Sequence, residues 1–99
     1  MARTLATKID NNNVTVSTAG TSVQFDTAKH PVRYLKLHTP VGNSGLVYVG
    51  GSAVSATRGF PMAANTSIEF TFTGDVLLSD WWADAATNGD ILVWLAEFK

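Results

Sequence analysis

Apolar and polar residues alternate along this chain in many short runs, the pattern of β-strands with one buried face. In residues 68–73, three large apolar side chains alternate with glutamate and threonine, so one face is apolar and the other polar. Residues 32–39 alternate in the same way. Further short runs of strand type are residues 4–9, 14–16, 23–25, 46–49, 76–78 and 91–98.

Turn-forming residues separate these runs. Ala19, Gly20 and Thr21 stand between residues 14–16 and 23–25, which predicts a hairpin there. The three asparagines 11–13 are expected to end the strand over residues 4–9. Residues 54–61 contain Gly59 and Pro61 and are predicted to be irregular or an edge strand. Residues 80–87 are rich in alanine, which leaves a helical turn open as the alternative to a strand.

Seven or eight short strands, with turn signals every 8–12 residues or so, predict an all-β protein. The expected architecture is a compact antiparallel β-sandwich or jelly roll. With 99 residues the chain supports one modest core, so residues 1–99 are assigned to a single domain. Residues 1–13 are polar and lack a strong apolar face, which makes them a candidate extended N-terminal arm.

The charge balance excludes several classes of partner. Only 15% of residues are charged and the net charge is −1, so no basic field exists to gather nucleic acid. No apolar run approaches the roughly 18 residues of a membrane span, and the N-terminus lacks the apolar region of a signal peptide. We therefore expect a protein made in a cytoplasm that binds neither nucleic acid nor membranes.

Candidate catalytic groups are sparse. His30 and His38 lie in or beside one segment, no serine stands in a nucleophile elbow, and the chain has no cysteine. Two histidines without cysteine are weak ligands for zinc. Four aspartates flank the tryptophan pair, and their most economical role is capping the backbone in turns: Asp75, Asp80, Asp84 and Asp90. The sequence predicts no enzyme, no metal and no cofactor.

Apolar residues exceed what one sandwich interior can hold. Trp81 and Trp82 are adjacent, so on a strand they point to opposite faces. Residues 46–49 and 91–96 are likewise apolar on both faces. Either loops or the N-terminal segment cover the surplus, or it forms a subunit or partner interface, where aromatic residues are enriched. We favour the interface.

A resemblance gives this interface a context. Residues 45–62 read as a strand ending in Val49-Gly50, a Gly-containing turn and an apolar pair, and the alternating strand at 68–72 follows. Then come Leu78-Ser79-Asp80 with two tryptophans and a closing strand at 91–94. This pattern over residues 45–95 resembles small β-sandwich or jelly-roll structural proteins of tailed bacteriophage virions, such as capsid cement or decoration proteins.

The resemblance implies a structural role on the capsid exterior after synthesis in the host cytoplasm. It implies the major capsid protein as partner, a homotrimer, and no cofactor. The first alternative is a head-fibre, tail or receptor-binding virion module, in which Trp81 or Trp82 would stack on a sugar. The second is an enzyme subunit or inhibitor, which no feature of the sequence supports.

Interface residues are selected by chemistry. Aromatic side chains at the centre of an interface contribute more than exposed charges, so Trp81, Trp82 and Tyr48 rank first, with Trp94 added. The competing role of each is ordinary core packing. Arg3, Lys8 and Arg33 are the cations expected to pair with carboxylates on a shell.

Overall fold

Eight β-strands account for about half of the described residues in a computed structural model, which covers residues 8–27 and 29–99. The single helical element in this part is a 3₁₀ turn over Leu78–Asp80. The strands are β1 Lys8–Val16, β2 Val23–Gln24, β3 Val32–Thr39, β4 Val47–Gly50, β5 Phe60–Met62, β6 Thr66–Thr71, β7 Trp82–Ala85 and β8 Asp90–Phe98.

The strands form two four-stranded sheets packed face to face. The first sheet has the order β1-β8-β3-β6 and the second the order β2-β7-β4-β5, and every pairing is antiparallel. Strand 1 pairs with 8, 2 with 7, 3 with 6 and 4 with 5, which is one long hairpin rolled into two layers. This connectivity is that of a jelly roll, and it confirms the predicted all-β sandwich.

The core lies between the two sheets and follows the alternation in the sequence. Leu35 and Leu37 of β3 point inward, beside Ala96 and Trp94 of β8 in the register of the first sheet. Val47 and Val49 of β4 and Ala83 and Ala85 of β7 form the opposing layer. All eight side chains are buried, which is why these short strands are stable.

The first strand is longer than the sequence indicates. Asparagines 11–13 were expected to end a strand, but β1 continues through them and pairs with β8 at each residue. The same pairing shows that residues 8–13 form an edge strand of the first sheet, whereas the sequence assigns them to an extended arm. Residues 1–7 of that candidate arm lie outside the described residues.

The predicted hairpin between residues 14–16 and 23–25 is wrong. Val14 and Val16 belong to β1 in the first sheet, whereas β2 pairs with β7 in the second. The turn around Gly20, with φ of 92°, carries the chain from one sheet to the other. Its backbone is held from the second sheet, because the Gly20 N–H donates to Asp84 Oδ1 at 2.9 Å.

Residues 76–85 also differ from the expectation. The predicted strand at 76–78 is reduced to one bridge between Leu77 and Pro31, followed by the 3₁₀ turn. The Ala-rich stretch that left a helical turn open forms strand β7 instead. Its small side chains allow this, since Ala83 and Ala85 pack in the crowded interior while Asp84 faces the other way.

Candidate interaction surfaces

Trp94 is a core residue. Its side chain is completely buried and lies between Asn12 and Leu37 in the register of the first sheet. The sequence-based assignment of Trp94 to an interface is therefore corrected, because a side chain with no accessible surface offers nothing to a partner. Among the described residues, its buried indole Nε1 has no hydrogen-bond partner.

Tyr48 is also largely covered, although it lies on the outer side of the second sheet. It retains 9% of its surface and pairs across the sheet with Asp84 and Pro61. The loop between β4 and β5 packs closely on it, since a Cβ added to Gly59 would lie 2.8 Å from the Tyr48 Cβ. Here a loop covers the surplus apolar surface, as in the alternative that the sequence left open.

Trp81 belongs to an aromatic cluster at one end of the sandwich. Its ring centroid lies 5.2 Å from that of Phe70, 6.0 Å from that of Phe25 and 6.1 Å from that of Phe72. The ring is half-buried, and its buried Nε1 has no hydrogen-bond partner within residues 8–27 and 29–99. Three phenylalanine rings therefore surround Trp81. A sugar ring that stacked on Trp81 would need a free face of the indole, so this packing disfavours Trp81 as a sugar-binding residue.

Trp82 lies on the opposite side of the backbone, as expected for neighbours on a strand. It pairs with Gln24 on one side and with Gly50 on the other, and it is half-buried. The structure therefore separates the tryptophan pair between the core side and the outer side of the second sheet.

The three predicted cations have different surroundings. Arg33 Nη2 lies 2.7 Å from Glu97 Oε1 in an ion pair within the chain, so a carboxylate already neutralises it. Lys8 is exposed at the start of β1. Arg3 lies outside the described residues.

Three of the four aspartates around the tryptophans accept backbone N–H groups, as the sequence indicates, whereas Asp75 is exposed and lies near the Lys99 ammonium. Asp90 Oδ1 accepts the N–H of Ser44 at 3.0 Å and Oδ2 accepts that of Gly45 at 2.9 Å. Asp80 accepts the N–H of Leu77 at 3.1 Å. Over residues 8–27 and 29–99, no group of three or more His, Cys, Asp or Glu is placed to hold a metal ion.

The outer face of the first sheet carries apolar residues that remain partly exposed. Strand β8 places Ile91, Val93 and Leu95 on this face in a row, which we call the apolar spine. Leu95 is 37% exposed and the other two are half-buried. Ile9 of β1, which is 64% exposed, extends the spine beside Glu97.

Polar side chains flank the spine on both sides. Asn11 and Asn13 of β1 lie opposite Leu95 and Val93, and Lys36 and His38 of β3 lie on the other side. The surface is therefore a narrow apolar row between polar side chains. An apolar centre with a polar rim is the usual anatomy of a protein–protein interface.

Two hydrogen-bonded side-chain pairs rigidify the β3 and β6 side of this face. Tyr34 Oη donates to a carboxylate oxygen of Glu69, and His38 Nδ1 lies 2.8 Å from Ser67 Oγ. The bond to Glu69, with the neighbouring carboxylate charges, raises the pKa of Tyr34 above its ordinary value. These side chains are therefore held in place before any partner arrives.

A depression of about 230 Å³ lies elsewhere, between the β3–β4 and β5–β6 loops. Its lining contains no charged side chain and consists of Asn43, Ser44, Gly45, Leu46, Ala63 and Ala64. Asn43 holds this loop to β8, since its Oδ1 accepts the N–H of Ile91 at 2.9 Å and its Nδ2 donates to the Ile91 carbonyl at 2.7 Å.

No protein family matches the chain, and no curated protein matches it either. Within the described chain, no helix is both long and apolar enough to cross a membrane.

Sequence reasoning found part of this surface and missed part. It identified the two-faced apolar character of residues 91–96, but it ranked the tryptophans above Leu95 and overlooked Ile9. The signal for Ile9 is its register opposite Glu97 on β8, which depends on the pairing of distant strands.

Proposed function

We propose that this protein is a structural protein of a tailed-bacteriophage virion, a cement or decoration protein that binds the assembled lattice of the major capsid protein. The observation that carries the proposal is the partly exposed apolar spine on a rigid outer sheet face. The resemblance of residues 45–95 to small virion proteins supplies the class of partner.

The shape of the surface supports a large partner over a small ligand. Small molecules are bound mostly in concave pockets that surround them. The spine is an open row on a sheet, so a flat partner surface is needed to remove it from water. Such burial contributes roughly 25 cal/mol per Å² before the costs of association.

A protein that cements a capsid shell needs only to bind it, and no catalytic chemistry is required. A protein that contacts neighbouring capsid subunits adds its binding free energy to the cost of separating them. A jelly roll with hydrogen-bonded loops suits this role because little ordering is required on docking. We therefore expect Leu95 and its spine neighbours to supply affinity and the exposed cation Lys8 to add under about 1 kcal/mol.

The test uses two leucines of matched exposure on different surfaces. Leu95 lies in the spine with 37% of its surface exposed, and Leu46 lies beside the depression with 39% exposed. Purified protein is mixed with shells that lack it, and co-sedimentation and the temperature of DNA release are measured. Wild type is expected to bind and to raise the release temperature.

Leu95→Asp is expected to weaken binding by about tenfold or more, because it buries a carboxylate against the shell. Leu46→Asp is expected to bind as wild type. Equal effects of the two variants would show that the spine is not the docking surface. Failure of the wild type to bind would contradict the cement role and direct attention to the head-fibre, tail or receptor-binding alternatives.

A further inference from the structure

The two sheets have four edge strands, and three of them are blocked against pairing with another chain. On β1, the N–H of Asn11 is bonded to Asp10 Oδ1 at 2.9 Å, and that of Asn13 to Asn12 Oδ1 at 2.8 Å. These side chains occupy backbone N–H groups that would otherwise donate to the carbonyls of a new strand. Strand β5 is three residues long with Pro61 at its centre, and β2 has two residues.

Strand β6 is the fourth edge and lacks any such device. It spans six residues without proline or glycine, and in the described chain it pairs with β3 alone. The Phe72 N–H donates to the Arg33 carbonyl at 3.0 Å, on the β3 side. Because backbone groups alternate along a strand, the N–H and C=O groups of Ser67, Glu69 and Thr71 point away from β3.

We propose that two copies of this chain pair through β6, antiparallel about a two-fold axis, to form one continuous eight-stranded sheet. This interface goes beyond the proposed binding of a shell and does not depend on it. The resemblance implies a homotrimer, whereas an edge that pairs with itself generates a dimer.

The side-chain pattern of β6 selects the register. Residues whose backbone N–H and C=O groups point away from β3 must pair with residues of the same kind in the second copy. Only a few alignments of the two β6 strands meet this condition. Alignment centred on Glu69 would place this carboxylate opposite Glu69 of the second copy, which like-charge repulsion disfavours. Alignment centred on Phe70 places Glu69 opposite Thr71 of the second copy instead.

The Phe70-centred alignment also matches apolar with apolar residues. Phe70 faces Phe70 of the second copy, and Ile68 faces Phe72 of the second copy. All three side chains are half-buried in the single chain, and they pack against the edge of its core. Pairing removes further apolar surface from water on one face and satisfies the outward backbone groups along the edge.

Two substitutions at one exposed position test the interface without touching the core. Thr71 is exposed and faces Glu69 of the second copy in the proposed register. Thr71→Glu introduces repulsion there and Thr71→Lys introduces attraction. Each cross-strand charge pair changes the dimerisation constant by up to about fivefold, and the two-fold axis creates two such pairs. We therefore expect the dimerisation constant to fall by up to about 25-fold in Thr71→Glu and to rise by up to about 25-fold in Thr71→Lys.

Sedimentation equilibrium over a wide concentration range measures the effect. Wild type is expected to approach about 21 kDa, twice the 10.6 kDa of one chain, at high concentration. Thr71→Glu is expected to stay nearer the monomer mass and Thr71→Lys to dimerise at lower concentration. Thermal unfolding of both variants under dilute conditions checks that the fold is intact.

Hydrogen exchange locates the contact independently. The amides of Glu69 and Thr71 are expected to exchange more slowly as the concentration rises, while those of Asn11 and Asn13 on the blocked edge do not change. A monomer mass at millimolar concentration would overturn the proposal. An oligomer that responds equally to both Thr71 variants, or that leaves the Glu69 and Thr71 amides unprotected, would also overturn it.

Discussion

Replacing Trp94 with alanine is expected to lower the free energy of unfolding by about 3–5 kcal/mol, the largest single effect in this chain. The side chain is completely buried between the sheets, so its removal loses the transfer free energy and leaves a cavity. For a domain of this size the midpoint of thermal unfolding should fall by about 15 °C or more. Urea unfolding followed by circular dichroism measures the change.

Two variants sharpen this measurement. Because no described residue is hydrogen-bonded to Trp94 Nε1, Trp94→Phe should cost only about 1–2 kcal/mol, from the smaller ring. Trp82→Ala, at a half-buried position on the outer side of the second sheet, should cost less than Trp94→Ala. Equal losses at Trp94 and Trp82 would contradict the division into core and outer residues.

Replacing Asp90 with alanine is expected to cost about 2–4 kcal/mol. The carboxylate is 5% exposed and accepts the N–H groups of Ser44 and Gly45, so its loss leaves two partly buried donors unsatisfied. The same bonds hold the β3–β4 loop against the start of β8, so proteolysis should accelerate in that loop. Denaturant unfolding and limited proteolysis check the two effects.

Asp75 supplies the control for this prediction. Its side chain is 85% exposed and lies 3.6 Å from the Lys99 ammonium, so Asp75→Ala should change the free energy of unfolding by under about 1 kcal/mol. If Asp90→Ala were as mild as Asp75→Ala, the carboxylate would not be holding the loop.

The strands of this fold are predictable from local pattern, whereas their partners are not. Alternation identified residues 32–39 and 91–98, because each strand buries one face whatever lies opposite. Val14 and Val23 look like two sides of a hairpin in the sequence, yet they lie in different sheets. In a rolled hairpin the nearest neighbours along the chain are often not paired, and alternation carries no information about pairing.

The interaction surface was harder to predict than the fold. Large aromatic side chains are equally suited to cores and interfaces, so Trp94 and Tyr48 were selected by type and are buried by context. The exposed part of the spine consists of ordinary aliphatic residues such as Leu95. Their exposure depends on how the loops cross the sheets: the β4–β5 loop covers Tyr48, whereas Leu95 of the spine is 37% exposed.

The role of the edge strands also depends on how distant strands pair, which the local sequence pattern does not show. Asn11 and Asn13 read as turn residues, but each backbone N–H is bonded to the preceding side chain along an edge strand. Once β1 is known to be an edge, the polar run is explained as protection against unwanted pairing. The unprotected β6 becomes visible only by comparison with the other three edges.

Mass spectrometry of purified virions, from a phage whose genome encodes this chain, tests the virion role most directly. The cement proposal predicts that the chain is present in many copies, in a fixed ratio to the major capsid protein, and that it remains with DNA-free heads. Its absence from the particle would contradict the proposal. Its presence in a few copies that separate with the tail would contradict a role on the capsid lattice.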